Sequence, residues 1–439
     1  MKPEINALLI FLRYPEPGWV KKRLSESIGP ERAAEVYEKL IRRTLGIVWD
    51  FKRMDSTVQA FIFHTPEDSV EKLRRKFRGP WEFYSQQGEH LGERMRNALR
   101  FAFSMGARKA VLIGTDLADI ETMDLEGAFQ NAEKDTVVLG PAADGGFYLI
   151  GTGRPIGAAL DFNAWGTGDV FSRTANELKS SGFHVHLATM RKDVDRGSDF
   201  DRVSADPMFS GSISIIIPTL SDLRTLSPFL EYLKDSMWPG DEIVVVQGGA
   251  FAKTSVRRIS PSLTFVFSPK GRGVQQNTGA MIAKGTIVFF LHDDTVPPPD
   301  FGYLIRRAGM NLKAELGCFK LAFTPSNRAL RLISGWANLR TLLFKLPYGD
   351  QGLFCKREVF ERVGGFGRRY LMEDIELARK LKKAGQIAIV PVEAYSSADR
   401  YLNKGILKAS LQNHLLALLN ALGRDERDLY RRYYGLEPE

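Results

Sequence analysis

The chain alternates short apolar runs with longer amphipathic ones, and the alternation starts twice. Ala7–Leu12 is a continuous apolar run of strand length, which predicts a strand buried on both faces. The Pro/Gly loop Tyr14–Gly18 follows it, and Glu31–Val48 carries apolar residues at helical spacing. Val58–Phe63 reads as a second strand, Leu91–Phe103 as a helix, and Ala110–Ile113 as a strand ending at Gly114-Thr115-Asp116. Thr136–Leu139 and Phe147–Ile150 flank the turn Ala143-Asp144-Gly145-Gly146. The polar stretch Asp199–Ser212 reads as the linker region, with the linker itself at 206–212.

The same grammar then resumes. Ile213–Ile217 is a strand closed by Pro218-Thr219, and Ser221–Asp235 is a helix. Glu242–Val246 is a strand ending in Gln247-Gly248-Gly249. Gln275–Ala283 is a helix, and Thr286–Leu291 is a strand ending in His292-Asp293-Asp294. Strands alternating with helices predict an α/β fold with mostly parallel central sheets, in two domains covering 1–205 and 213–439. In open sheets of this kind, ligands sit beyond the carboxyl ends of the strands, so the acids and loops there are the first candidates for chemistry.

Composition narrows the picture. With 439 residues, 44% hydrophobic and 26% charged, the chain can build two or three cores and is neither disordered nor a disulfide scaffold. Its two cysteines, Cys318 and Cys355, read as reduced packing residues of a cytoplasmic protein. The first apolar run is short and stops at Arg13 and two prolines, unlike a signal peptide. No apolar run reaches the ~20 residues of a membrane span.

Net charge is +9, which raises the question of a polyanionic partner. Residues 1–210 hold 29 basic and 30 acidic side chains, whereas 251–350 alone hold 14 basic and 5 acidic. Without zinc spacing or an RNA-binding aromatic signature, nucleic acid is not the expected partner. Within the basic region, Arg328–Lys345 reads as an amphipathic helix. Its first reading is a core-packing helix with a solvated basic face, and its second a peripheral membrane contact or lipid-phosphate element. Ile406–Leu422 reads as a second apolar helix that packs on its domain or pairs two chains in a homo-oligomer.

Several strand-end segments carry chemistry. Acids at the end of a buried strand are costly unless they face a cleft, and the carboxylates of Asp293 and Asp294 suit Mg²⁺ or Mn²⁺ on a diphosphate. The alternative is a cap or surface turn. Gly271-Arg272-Gly273, entering a helix, suits a phosphate or is a plain loop. Leu346–Phe354 is a polar turn feeding a strand, and the acids of Met372–Ala378 open a helix and serve equally as first-turn acids. In the first half, Gly18 permits a turn and Lys21, Lys22 and Arg23 can gather phosphates. Asp116 and Asp193-Val194-Asp195 are carboxylates that one sheet edge can bring together around an ion, although each singly is a common turn residue.

In order, LHDDT, LPYGDQGLF, GGF and LMEDIELARKL resemble the family 2 glycosyltransferases of the GT-A fold over roughly 213–400. The subgroup they most resemble is the arsenosugar-biosynthesis-type, or radical-SAM/selenodomain-associated, transferases. The resemblance implies an inverting, divalent-metal-dependent transfer of sugar from a nucleotide-sugar to an acceptor hydroxyl. It assigns Asp294, with His292 and Asp293 beside it, to the metal. Asp374 becomes the general base with Glu373 as fallback, and Asp350 and Gln351 become acceptor-side or donor-phosphate contacts. Pro218, Thr219, Gln247 and Arg272 line the donor pocket, with Gln247 standing where the family usually has Asp.

The first half resembles a nucleotidyltransferase-like, GT-A-type family similar to guanylyltransferases that activate small phosphorylated acids, over about 5–205. The motifs are PEPGWVKKRL, GEHLGERM, VLIGTDLADI, GPAADGGFYLIG, FNAWGTGDV and DVD. This resemblance implies phosphate ligands at Lys21 and Arg23, with Gly18 in the same nucleotide-binding loop, metal ligands at Asp116 and Asp195, and a substrate pocket shaped by Asp144, Gly145 and Gly146. The expectation is therefore a bifunctional cytoplasmic enzyme that uses nucleotide-sugar and nucleoside phosphate ligands and a small-molecule or lipid-linked acceptor. Two alternatives stay open: a non-catalytic nucleotide-sugar-binding scaffold, and a transferase acting on a lipid phosphate at the inner face of the membrane.

Overall fold

The computed structural model describes residues 5–162, 165, 168–250, 254–310, 314–367, 371–421 and 424–434. The chain divides into two compact units, Met1–Phe209 and Ser210–Glu439. Both are α/β units built on one large mixed sheet.

The first sheet contains β1 (Ile5–Arg13), β2 (Val58–Thr65), β3 (Trp81–Ser85), β4 (Ala107–Ile113), β5 (Thr136–Pro141), β6 (Phe147–Thr152) and β7 (His184–Leu187). Their order across the sheet is β3-β2-β1-β4-β6-β5-β7. β1, β2, β3 and β4 run parallel, and β6 enters antiparallel between β4 and β5. The long helix Pro30–Met54 has proline at its first turn, where a missing N–H costs nothing, and buries Leu40, Ile41, Leu45 and Val48. Its Phe51 stacks on Phe129 of the helix Thr122–Asn131 at 5.6 Å.

The second sheet contains β8 (Ile213–Thr219), β9 (Glu242–Gly249), β10 (Ser255–Ser260), β11 (Leu263–Pro269), β12 (Ile287–Phe290), β13 (Thr295–Val296), β14 (Ala314–Thr324), β15 (Leu353–Lys356) and β16 (Gln386–Ser397). Their order is β10-β11-β9-β8-β12-β15-β14-β16-β13. β11, β9, β8 and β12 are parallel, so Thr219, Gly249 and Leu291 end at one edge. β15 runs antiparallel to β12, with Leu353 opposite Phe290, so the turn Gly349–Gln351 that precedes it reaches that same edge. The topology thus gathers strand ends and the 349–351 turn without any long excursion.

Three expectations are revised. The stretch 199–210 is helical, in Gly197–Ala205 and Pro207–Ser210, with Met208 and Phe209 buried, because apolar side chains there find a core. Gln247, Gly248 and Gly249 continue β9 through pairing with β8 and β11. The helix Arg328–Phe344 packs Leu330, Ile333 and Ala337 inward, but its outward face is apolar rather than uniformly basic. The two cysteines are free and buried, and burial pushes the Cys318 thiol up to about 12. Among the described residues, no helix is long and apolar enough to cross a membrane.

A buried cation fixes the amino ends of the central strands. Arg306 is 1% exposed; its guanidinium donates to Asp241 at 2.5 Å and to the Gly211 and Gly302 carbonyls, and stacks on Trp238. Asp241 in turn accepts the Ile213 and Trp238 amides. Removing one partner strands a buried charge, so Arg306→Leu is expected to destabilise the chain by about 3–5 kcal/mol, read by denaturant unfolding. A change below about 1 kcal/mol would show that the pair is dispensable.

Candidate functional site

The site of the second unit is assembled from the ends of β8, β9 and β12, the turn Gly349–Gln351, and the N-termini of helices Arg272–Ile282 and Glu373–Ala384. Gln275 does the first part of this assembly. Buried at 3% exposure, its Nε2 donates to the Thr219 carbonyl at 2.9 Å and to the Val246 carbonyl at 2.8 Å. A Cβ on Gly248 would meet the Gln275 side chain at 2.8 Å, so the glycine lets this amide approach β9. Pro218 is buried in β8, and Gln247 lies opposite Thr219 in the ladder.

Thr219 donates its hydroxyl to Asp293 Oδ2 at 2.6 Å, which ties the end of β8 to the loop after β12. Asp293 is therefore engaged with the protein. Asp294 remains open to solvent, yet burial of part of its carboxylate and the charges of Asp350 and Asp293 all raise its pKa. His292 is held neutral: burial, and then Arg272, lower its pKa to about 4. A Cβ on Gly349 would come within 2.6 Å of the His292 ring and 3.5 Å of Asp374 Oδ2, so this glycine sits between imidazole and carboxylate.

Asp374 accepts the Gly349 amide at 2.7 Å and the Ile375 amide at 2.8 Å, which fixes its carboxylate. Burial raises its pKa against those two stabilising hydrogen bonds. Glu373 is more enclosed and lies 3.6 Å from Arg272. Met372, which precedes the pair, has φ 62, a left-handed conformation that a methionine rarely adopts. The helix that starts there turns Asp374 to the 349–351 turn and Glu373 to Arg272.

Gln351 differs from its expected contact role. At 1% exposure, it accepts from the Thr341 hydroxyl and the Tyr348 amide and donates to the Phe319 carbonyl. It positions the turn rather than facing a ligand. Asp350 acts electrostatically on His292, Asp294, Glu373 and Asp374. Arg272 acts on the same four groups, and it opens its helix behind Gly271. Arg340, stacked 3.5 Å over Tyr348, was not anticipated, because nothing in its helical spacing points to the turn.

The first unit gathers a second set. Lys21, itself left-handed at φ 48, forms an ion pair with Asp116 and lies over the Tyr37 ring. Arg23 pairs with Asp195 at 2.9 Å. Leu117 bridges to Asp193, and the Val194 amide donates to the Asp116 carbonyl, which brings the 193–195 segment against the end of β4. Asp193, named among the edge carboxylates but given no ligand role by the resemblance, lies inside this cluster. Burial, then Asp116 and Asp144, push its pKa up to about 7. Asp144 accepts the Gly146 amide at 2.9 Å, and the Gly145 carbonyl accepts from Phe171. Gly18 makes the turn before Lys21 at φ 79. FNAWGTGDV lies partly outside the described residues.

Among the described residues, no three His, Cys, Asp or Glu side chains converge closely enough to hold a metal ion alone. A carboxylate edge with one or two protein ligands still fits Mg²⁺ or Mn²⁺, which take their remaining ligands from phosphate oxygens and water. Burial first, and then the like charges of Asp350 and Asp293, raise the Asp294 pKa, and a cation there would offset the charge part of that cost.

This arrangement belongs to an α/β transferase with its candidate chemistry at the carboxyl edge of the second sheet. Residues 214–346 match glycosyl transferase family 2, and residues 52–167 match DUF2064, a family described as uncharacterized and conserved in bacteria. The chain joins a DUF2064 domain to a family 2 glycosyltransferase domain, and it is a glycosyltransferase. No curated protein matches it. Among solved structures, a protein from Desulfovibrio desulfuricans G20 assigned as a nucleotide-diphospho-sugar transferase is 30% identical, with 46% of this chain and 87% of that one covered and a TM-score of 0.42. A mannosyltransferase from Pyrobaculum calidifontis in complex with GDP-Man and Mn²⁺ is 19% identical, with 52% and 72% covered and a TM-score of 0.38.

The enclosed acid gives a pH signature. Glu373, raised from 4.5 to about 7 by burial and then by Asp374, holds its proton to higher pH folded than unfolded. The folded chain therefore binds more protons between those values, and stability falls as pH rises through them. Glu373→Gln is expected to gain on the parent by on the order of 1–3 kcal/mol between pH ~5 and ~8, measured by thermal unfolding across pH. An unchanged difference would show that Glu373 is ionised throughout.

Proposed function

We propose that the second unit transfers a glycosyl group, with inversion, from a nucleotide-diphospho-sugar to an acceptor hydroxyl. The observation that carries this reading is Asp374, fixed by two backbone amides beside the 349–351 turn, with Asp350 and Arg272 acting on both it and Asp294. Asp374 takes the acceptor proton as the hydroxyl oxygen bonds to the anomeric carbon. The nucleoside diphosphate leaves with the electron pair of the broken C–O bond. Asp294, with His292 and Asp293 alongside, would hold a divalent ion, whose chemistry is to neutralise charge on the diphosphate. Arg272, at a helix N-terminus, adds fixed positive charge for the same phosphates. Pro218, Thr219 and Gln247 form the donor side, and Asp350 the acceptor side.

In this reading the first unit binds a nucleotide through Lys21 and Arg23, with Asp116 and Asp195 as its metal ligands and Asp144-Gly145-Gly146 shaping the pocket, and it activates a donor. The proximity of Asp116, Asp193, Asp144 and Asp195 to those two cations supports it.

The test is release of nucleoside diphosphate from a panel of nucleotide-sugars with Mn²⁺ and candidate acceptors. Asp374→Asn is expected to lower kcat by about 100-fold or more while nucleotide binding, read by calorimetry, is retained. Binding without turnover in the parent, with Asp374→Asn indistinguishable from it, would favour a nucleotide-sugar-binding scaffold instead.

A further inference from the structure

The strongest feature that the transferase site does not use is an apolar face on two helices of the second unit. In Arg328–Phe344, Leu332, Trp336, Leu339 and Leu343 recur at helical spacing and are 76%, 52%, 45% and 64% exposed. The opposite side of this helix already packs on Leu321, Phe323 and Ala398, so the exposed stripe is not a misplaced core. The neighbouring helix Ile406–Ala421 adds Leu407, Leu411 and Leu415 at the same kind of spacing, also exposed. A soluble surface rarely leaves this much contiguous apolar area open.

The charge pattern says what covers it. Neither helix contains a single Asp or Glu, while Arg328, Arg331 and Lys408 lie on them and Lys404 just before the second. A groove of about 820 Å³ between Asn403, Lys404, Lys408, Leu411, Gln412 and Leu415 mixes ammonium groups with leucine side chains, the combination that suits an anionic head group above acyl chain. A second copy docked through the same patch would place these cations against themselves with no acid on either helix to meet them. We infer that this face lies in the head-group region of an anionic bilayer, with both helices parallel to its plane. The helix that carries the stripe also carries Arg340, stacked on Tyr348 beside the candidate site, so docking would set that site at the lipid–water boundary.

Flotation of the full chain with vesicles separates the outcomes. Binding to phosphatidylcholine vesicles containing phosphatidylglycerol, weak binding to phosphatidylcholine alone, and release at high salt are expected. Trp336→Glu and Leu411→Glu, both on the surface, are expected to lower the bound fraction about tenfold each with the thermal midpoint unchanged. No binding, binding indifferent to both substitutions, or a solution dimer that both dissociate would overturn the inference. The readout is partitioning rather than turnover, so failure here leaves the transferase reading standing.

Discussion

The second unit hangs on two buried polar clamps at opposite ends of the same pair of strands. At the amino ends of β8 and β9, Arg306 and Asp241 hold the entry of β8 through the Ile213 amide and the Gly211 carbonyl. At the carboxyl ends, one Gln275 amide bridges the Thr219 and Val246 carbonyls. Both clamps satisfy groups that burial would otherwise leave costly, which is why such side chains are tolerated inside a core of isoleucine and valine. With the strand ends aligned, Thr219 can reach Asp293, and the loop after β12 is fixed in turn. The positions of His292 and Asp294 follow from that chain of contacts.

What the aligned edge then faces is an excess of carboxyl groups. Asp350 and Arg272 both act on Asp294, Glu373 and Asp374, the first as a like charge and the second as the opposing cation. Burial and mutual repulsion keep Glu373 and Asp374 harder to ionise, the state in which a carboxyl can exchange a proton near neutrality. The first unit meets the same constraint differently. There Lys21 and Arg23 each neutralise one acid, and Asp193 is held harder to ionise by burial first and then by Asp116 and Asp144. Two of the three described non-glycine residues in the left-handed region, Lys21 and Met372, lie in these two clusters. Each costs on the order of 1 kcal/mol that neighbouring structure must offset.

Strand ends were the legible part of the chain. Continuous apolar runs closed by Pro218-Thr219, Gly114-Thr115-Asp116 and His292-Asp293-Asp294 mark both where a strand stops and which residues reach the edge. The late strands β14 and β16, which pair parallel with each other, were not legible: both mix polar and apolar residues, and no periodicity separates them from loop. Residue type also could not separate ligand-facing from structural polar groups. Asp293 and Gln351 sit inside the right motifs, yet one is bonded to Thr219 and the other spends its amide on Thr341, Tyr348 and Phe319. Conversely, Gly349 matters for what approaches it, the His292 ring, which only the folded chain reveals.

The basic surplus of 251–350 resolves into separate electrostatic tasks rather than one patch. Arg306 is fully buried and paired, so it contributes nothing to the outside field. Arg272 faces the carboxylate edge. Arg257 and Arg258 lie on β10, the exposed edge strand, where charge discourages pairing with another sheet. Arg340 is spent on Tyr348. Arg328 and Arg331 share their helix with exposed leucines and tryptophan, and Lys404 and Lys408 flank the exposed leucines of the next. Net charge by itself would therefore mislead about partners. The informative quantity is which cations keep apolar neighbours and lack acidic ones, because that pairing costs free energy in water and is relieved at an anionic apolar boundary.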